Sequence, residues 1–153
     1  MLAVPRDEVL VPLTAPVSQI LPATHVRGSV ILSSLRGLRS LDLFARYNAA
    51  LAPSRRDTVL GLTAPTWYPA DLAVDHYAAC DKLGLDEATI GRLGAASGAF
   101  LNASVVTVLL RLTREVGGTP WAALVHIERL RERLWQGGAF TVIKLGPKEA
   151  RVE

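Results

Sequence analysis

Apolar residues recur along most of this chain at the spacing of amphipathic helices. In several stretches they lie three or four positions apart, as one face of an α-helix requires, and prolines or glycines separate these stretches. The helices predicted in this way span residues 28–38, 40–52, 54–62, 69–83, 86–116 and 120–136. We therefore predict a mainly helical α+β fold with five or six helices and a small antiparallel sheet at the C-terminus.

The stretch from Asp86 to Val116 predicts the longest helix, because Asp86 suits an N-cap and no proline interrupts it. No charged residue occurs from Leu93 to Leu110, so the rest of the chain is expected to cover this helix on nearly every side. The same window just reaches the length of a transmembrane segment, but its glycines, serines and Asn102 weaken its apolar character. We predict a central, buried helix over about 86–116, and no membrane segment.

Glycines recur inside this predicted helix at Gly91, Gly94 and Gly98. An interior glycine costs roughly 1 kcal/mol relative to alanine, and a close helix crossing would compensate for that cost. The crossing helix belongs either to the same chain or to a second copy of it. In the first predicted helix, Gly37 is expected to form the C-terminal end.

The two ends of the chain predict strands. Residues 1–27 carry four prolines and form a proline-rich N-terminal arm, in which Glu8–Leu13 is a short edge strand. Residues 28–153 are predicted to be a single helical domain that ends in a hairpin with its turn at Gly146–Pro147. The last strand is expected to pair with a further edge, for which Glu8–Leu13 is the candidate, unless the chain is a fragment.

Composition narrows the class of protein. The 153 residues suit one domain, and 50% hydrophobic with 20% charged residues is a globular balance. The single cysteine, Cys80, excludes an internal disulfide, and the N-terminus lacks the pattern of a signal peptide, so we predict a cytoplasmic protein. Basic ends flank an acidic middle, and the arginines are scattered among leucines, which disfavours nucleic acid as a partner.

His76 and Cys80 are the one chemically suggestive pair. They lie four residues apart and therefore on one face of the helix predicted for 69–83. An imidazole can lower a thiol pKa and create a nucleophile, but no third orienting residue is recognisable nearby. A metal would need two further ligands. We expect a packing role for both residues, and predict no catalytic residues, no metal and no cofactor.

Residues Ala64–Pro69 hold two large rings, Trp67 and Tyr68, between two prolines. The stiff backbone presents these rings at little entropic cost. They either pack against the domain or form a binding surface, and both alternatives stay open.

Four features of the chain occur together: Trp67-Tyr68-Pro69, the Gly91-Arg92 pair, Trp121 and the hairpin around Gly146–Arg151. In these features the chain resembles a paralogous family of myxobacterial domains of unknown function. The resemblance spans much of residues 28–153. It implies a helical body with a C-terminal antiparallel sheet, in a layout similar to ligand-binding V4R and haem-nitric-oxide-type domains. The tyrosine-serine-arginine signature of the haem domains is missing from the sequence, so no haem ligand is carried over.

The sequence as a whole favours a non-catalytic protein–protein interaction domain with a regulatory or assembly role, which self-associates or binds a protein partner. The alternative is a small-molecule sensor with an apolar pocket between the long helix and the hairpin. The residues expected at the interaction surface or pocket are Trp67, Tyr68, His76, Phe100 and Trp121.

Overall fold

The structure, a computed structural model, describes residues 8–101, 119–124, 127–147 and 149–153. Its helices are α1 (Gly28–Ser40), α2 (Phe44–Ala50), α3 (Pro53–Leu60), α4 (Ala70–Asp81), α5 (Glu87–Leu101), α6 (Pro120–Leu124) and α7 (Ile127–Leu134), with one 3₁₀ turn at Val17–Gln19. Its strands are β1 (Glu8–Val11), β2 (His25–Arg27), β3 (Trp67–Pro69), β4 (Trp135–Gln136), β5 (Val142–Gly146) and β6 (Glu149–Val152). The predicted class, mainly helical α+β, is confirmed.

Helix α1 supplies much of the core. Its apolar side chains Val30, Ile31, Leu35 and Leu38 recur at helical spacing and are all buried. Around them pack buried residues from the other elements: Val26, Leu43, Tyr47, Leu51, Val59, Leu62, Leu72, Ala73, Ala79 and Leu83. The most buried helix among the described residues is therefore the first one.

Helix α5 corrects the prediction of a central, covered helix. None of residues 87–100 is buried, and Ile90 and Phe100 are 57% and 45% exposed. Residues 102–116 of the predicted helix lie outside the described residues. Over the part of the chain that the structure describes, no helix is both long enough and apolar enough to cross a bilayer.

The close helix crossing predicted from the α5 glycines instead uses a glycine of α1. Gly37 lies inside α1 rather than at its end, and a Cβ placed on it would meet Ser97 Oγ of α5 at 2.7 Å. A Cβ placed on Gly91, Gly94 or Gly98 would meet no atom of the described residues within 4 Å. The crossing with α1 therefore does not use the α5 glycines among the described residues, because the contact with Gly37 falls on Leu93 and Ser97.

Two antiparallel three-stranded sheets flank the helices. The predicted hairpin forms as β5 and β6, but the N-terminal strand β1 pairs with β5 and not with the last strand, giving the order β1-β5-β6. The second sheet, in the order β3-β2-β4, was not predicted. Its middle strand β2 belongs to the predicted arm, so residues 8–27 contribute one strand to each sheet.

Candidate ligand-binding pocket

A pocket of about 420 Å³ lies between α1, α4 and α5. Its volume falls within the range of about 300–1,000 Å³ that is typical of small-molecule sites, and its walls are mostly apolar. The lining residues are Val30, Ser33 and Ser34 from α1, Tyr77, Cys80 and Asp81 from α4, Gly84 and Leu85 from the turn, and Ile90, Leu93, Gly94 and Ser97 from α5.

The sequence opens this space on the α5 side. Gly94 carries no side chain where a larger residue would occupy the pocket. On the α1 wall, Ser33 donates its hydroxyl to the carbonyl of Val30 at 2.7 Å, and on the α5 wall Ser97 donates to the carbonyl of Leu93 at 2.7 Å. Because both hydroxyl hydrogens are used by backbone acceptors, these serines add little polarity to the pocket.

Behind the pocket wall, a buried hydrogen-bonded chain joins α1, α2 and α4. His76 is fully buried; its Nε2 lies 2.9 Å from Ser34 Oγ and its Nδ1 lies 2.7 Å from the Tyr47 hydroxyl. Burial lowers the pKa of His76 from 6.5 to about 4 and raises the pKa of Tyr47 well above its usual value. At neutral pH both groups are therefore uncharged.

The hydrogen-bond partners assign the tautomer of His76. If Nδ1 carried the hydrogen and donated to Tyr47, the buried phenol hydrogen would have no acceptor among the described residues. If Tyr47 donates to Nδ1 instead, Nε2 carries the hydrogen and donates it to Ser34 Oγ. In this arrangement the Ser34 hydroxyl accepts a hydrogen bond from His76 and does not donate one to it. Its hydrogen is therefore free to be donated to a group in the pocket.

Cys80 lines the pocket near this chain. Its Sγ lies 3.9 Å from His76 Nε2, so the predicted neighbours are indeed brought together. Burial, helped by the negative charge of Asp81, raises the pKa of the Cys80 thiol to about 11. This direction is the opposite of the one that the nucleophile hypothesis requires, since a thiol reacts as its thiolate.

Of the five residues predicted for a pocket or surface, only His76 lies beside this pocket. Trp67 and Tyr68 are half-buried in β3, where the Arg27 guanidinium carbon lies 4.2 Å from the Trp67 ring centroid. The Tyr68 hydroxyl accepts the backbone N–H of Thr63 at 3.0 Å. These contacts hold the loop before β3 against β2, which favours the packing alternative.

Phe100 and Trp121 lie on other elements again. Phe100 is exposed near the end of the described part of α5, and the Arg36 guanidinium carbon lies 5.8 Å from its ring centroid. Trp121 is half-buried on α6, with Lys144 Nζ 5.3 Å from its ring centroid. The predicted pocket between the long helix and the hairpin stays a prediction, and the pocket of the described residues lies between α1, α4 and α5.

Sequence reasoning missed Ser34 and Tyr47. Ser34 is 42 positions from His76 in the sequence, and Tyr47 is 29 positions from it. No local sequence pattern therefore indicates that either residue contacts His76. The one available signal was indirect: a polar residue on the apolar stripe of a helix needs a partner when it is buried, and Ser34 adjoins the apolar stripe of α1.

Within the described residues, no group of three or more histidine, cysteine, aspartate or glutamate side chains lies together as metal ligands would. In comparisons with protein families, curated proteins and solved structures, nothing matches this chain. The resemblance to the myxobacterial family therefore stays a prediction.

Proposed function

We propose that this chain binds a small, largely apolar molecule in the α1–α4–α5 pocket and acts as a ligand-binding sensor domain. The observation that carries the proposal is the pocket itself, about 420 Å³ in volume and walled mainly by apolar groups. Such a pocket with few polar groups and neighbours of shifted pKa is the usual form of a small-molecule site.

Binding fits these residues better than catalysis does. His76 donates to Ser34, so it does not activate that hydroxyl, and its lowered pKa makes it a weak base. The raised pKa of Cys80 leaves the thiol protonated at neutral pH. What remains for a bound molecule is a mostly apolar surface, whose polar side chains include Ser34, Tyr77 and Asp81.

The test uses a matched pair of glycines on one helix. Gly94 lines the pocket and Gly91 does not, while a Cβ at either position meets no described atom within 4 Å. Both Gly94→Leu and Gly91→Leu should therefore fold and gain up to roughly 1 kcal/mol of stability from helix propensity. Only Gly94→Leu fills the pocket.

We expect the neutral fluorescent probe N-phenylnaphthylamine to bind wild-type protein and Gly91→Leu alike, and to lose its affinity for Gly94→Leu. Native mass spectrometry of freshly purified protein then reports any bound mass, which should disappear in the same variant. Equal probe binding by both variants would contradict the proposal.

A second candidate function is self-association along α5. It is favoured by the exposed side of Gly91, where an added Cβ meets no described atom within 4 Å and a second helix can approach closely. Light scattering over a range of concentrations tests it: a dimer that Gly91→Leu dissociates would support self-association, and a strict monomer would remove it.

A further inference from the structure

A second cavity of about 340 Å³ adjoins the pocket. Gly84 and Leu85, in the turn between α4 and α5, line both cavities. The second cavity is lined mainly by polar groups, and it has Arg46 of α2 on one side and Arg92 of α5 on the other. Because both cavities border this turn, one elongated ligand that passes over Gly84 would reach both spaces.

The two arginines keep hydrogen-bond donors for a ligand. Arg46 Nη2 donates to the carbonyl of Leu83 at 2.7 Å, and Arg92 Nη2 donates to Thr89 Oγ1 at 3.0 Å. A guanidinium has five N–H donors, so most of them remain. Neither arginine forms a salt bridge with a described residue, whereas Arg55 binds two carboxylates on α4.

The charge of this cavity favours an anion. Among the described residues Asp86 is the one acid that lines it, and Asp86 Oδ1 accepts the backbone N–H of Thr89 at 2.7 Å as the cap of α5. The Thr89 hydrogen bonds, aided by the Arg92 charge, lower the pKa of Asp86, so this carboxylate stays ionised. One negative charge faces two positive ones, which leaves the lining positive.

We propose that the ligand is an amphipathic anion, with its apolar part in the α1–α4–α5 pocket and a carboxylate or phosphate head bound by Arg46 and Arg92. This inference rests on the proposed function, because the polar cavity alone offers no place for an apolar body. Arginine suits such a head group, since its planar N–H fork matches both oxyanions.

Isothermal titration calorimetry with four probes of one chain length tests the head group: decanoate, decyl phosphate, decanol and decylamine. We expect at least one of the two anions to bind about tenfold or more tightly than decanol, as a charge-assisted hydrogen bond provides. The tighter of the two anions identifies the head group. Decylamine is expected to bind no better than decanol.

Three variants locate the effect. Arg92 lies on the exposed face of α5, so Arg92→Gln should fold, lower anion affinity about tenfold and leave decanol affinity unchanged. Arg46→Gln should do the same and serves as the second variant. Arg129→Gln, at an exposed position of α7, removes the same charge outside either cavity and should have no effect.

The outcomes separate the two proposals. Equal affinity for decanoate, decyl phosphate and decanol, or tighter binding of decylamine, overturns the anion assignment while the pocket stands. Anion binding that Arg92→Gln and Arg46→Gln leave unchanged overturns it as well. If none of the four probes binds, the pocket proposal fails first, and the Gly94→Leu experiment shows that independently.

Discussion

Helices α1 and α5 pack against each other but contribute to the fold in different ways. α1 buries Val30, Ile31, Leu35 and Leu38, and Ser97 of α5 packs closely against its Gly37. α5 has no buried residue over 87–100, and a Cβ added to any of its three glycines would meet no described atom within 4 Å. One helix is held by its side chains on the core, and the other lies on the first and leaves a pocket beside it.

The difference teaches that lack of charge is not the same as a drive toward burial. Residues 93–100 of α5 are uncharged, yet five of these eight are glycine or alanine. Burial stabilises in proportion to the apolar area removed from water, at roughly 25 cal/mol per Å², and small residues offer little area. The leucines and isoleucine of α1 offer much more, so α1 occupies the interior.

The largest expected effect separates the two helices directly. Leu35 of α1 is 1% exposed, so Leu35→Ala should lower the free energy of unfolding by about 2–5 kcal/mol, through lost burial and the cavity left behind. Leu93 of α5 is only half-buried, and Leu93→Ala should cost less than half as much. Urea denaturation of both variants measures this, and equal costs would contradict the central place given to α1.

As the pH falls, the buried packing around His76 should lose stability at a higher pH than the N-terminal cap of α5 does. Between pH 6.5 and about 4 the unfolded chain protonates His76 while the folded protein does not. The free energy of unfolding should therefore fall as pH drops through this window, by up to ~3 kcal/mol. The pKa of Asp86 is lowered, so the contribution of this cap is present above pH 3.8 and is lost only as pH falls below it.

Urea midpoints at about pH 7 and about pH 4.5 measure this loss. His76→Gln should flatten the dependence, although it lowers stability at both pH values. His25→Gln is the matched control, because His25 is partly exposed in β2, and it should retain the full dependence. A His76→Gln variant with the same pH dependence as the wild type would show that another group titrates.

The sequence predicted those features that depend on local pattern. The spacing of Leu32 and Leu35 located α1, and Gly146–Pro147 located the terminal hairpin. The β3-β2-β4 sheet was missed because strands of two or three residues are too short to show alternation.

The candidate site was out of reach for another reason. Its walls come from three helices, and its buried chain of Ser34, His76 and Tyr47 joins residues that no spacing rule connects. Only the His76–Cys80 pair was predictable, because both members lie on one face of one helix. Phe100 and Trp121 do not line this pocket, and no local pattern around either ring indicates which elements it contacts.

The smallest expected effects differ in sign between the two helices. Gly37→Ala would bring a methyl group to 2.7 Å from Ser97 Oγ, and pushing α5 away should cost about 1–3 kcal/mol. Gly91→Ala meets no described atom within 4 Å and should instead gain roughly 0.5–1 kcal/mol from helix propensity. The same substitution thus reports on the space around each glycine.

Thermal or urea denaturation of the two alanine variants measures this pair. Opposite signs would follow from a closed α1 surface and an open α5 surface. A destabilising Gly91→Ala would mean that something covers this face of α5 in solution, and light scattering of the same samples would then distinguish a second copy from a covering segment of the same chain. The glycines were the feature from which a close crossing was predicted, so their response to one added methyl group is the most direct measure of whether α5 is an open surface.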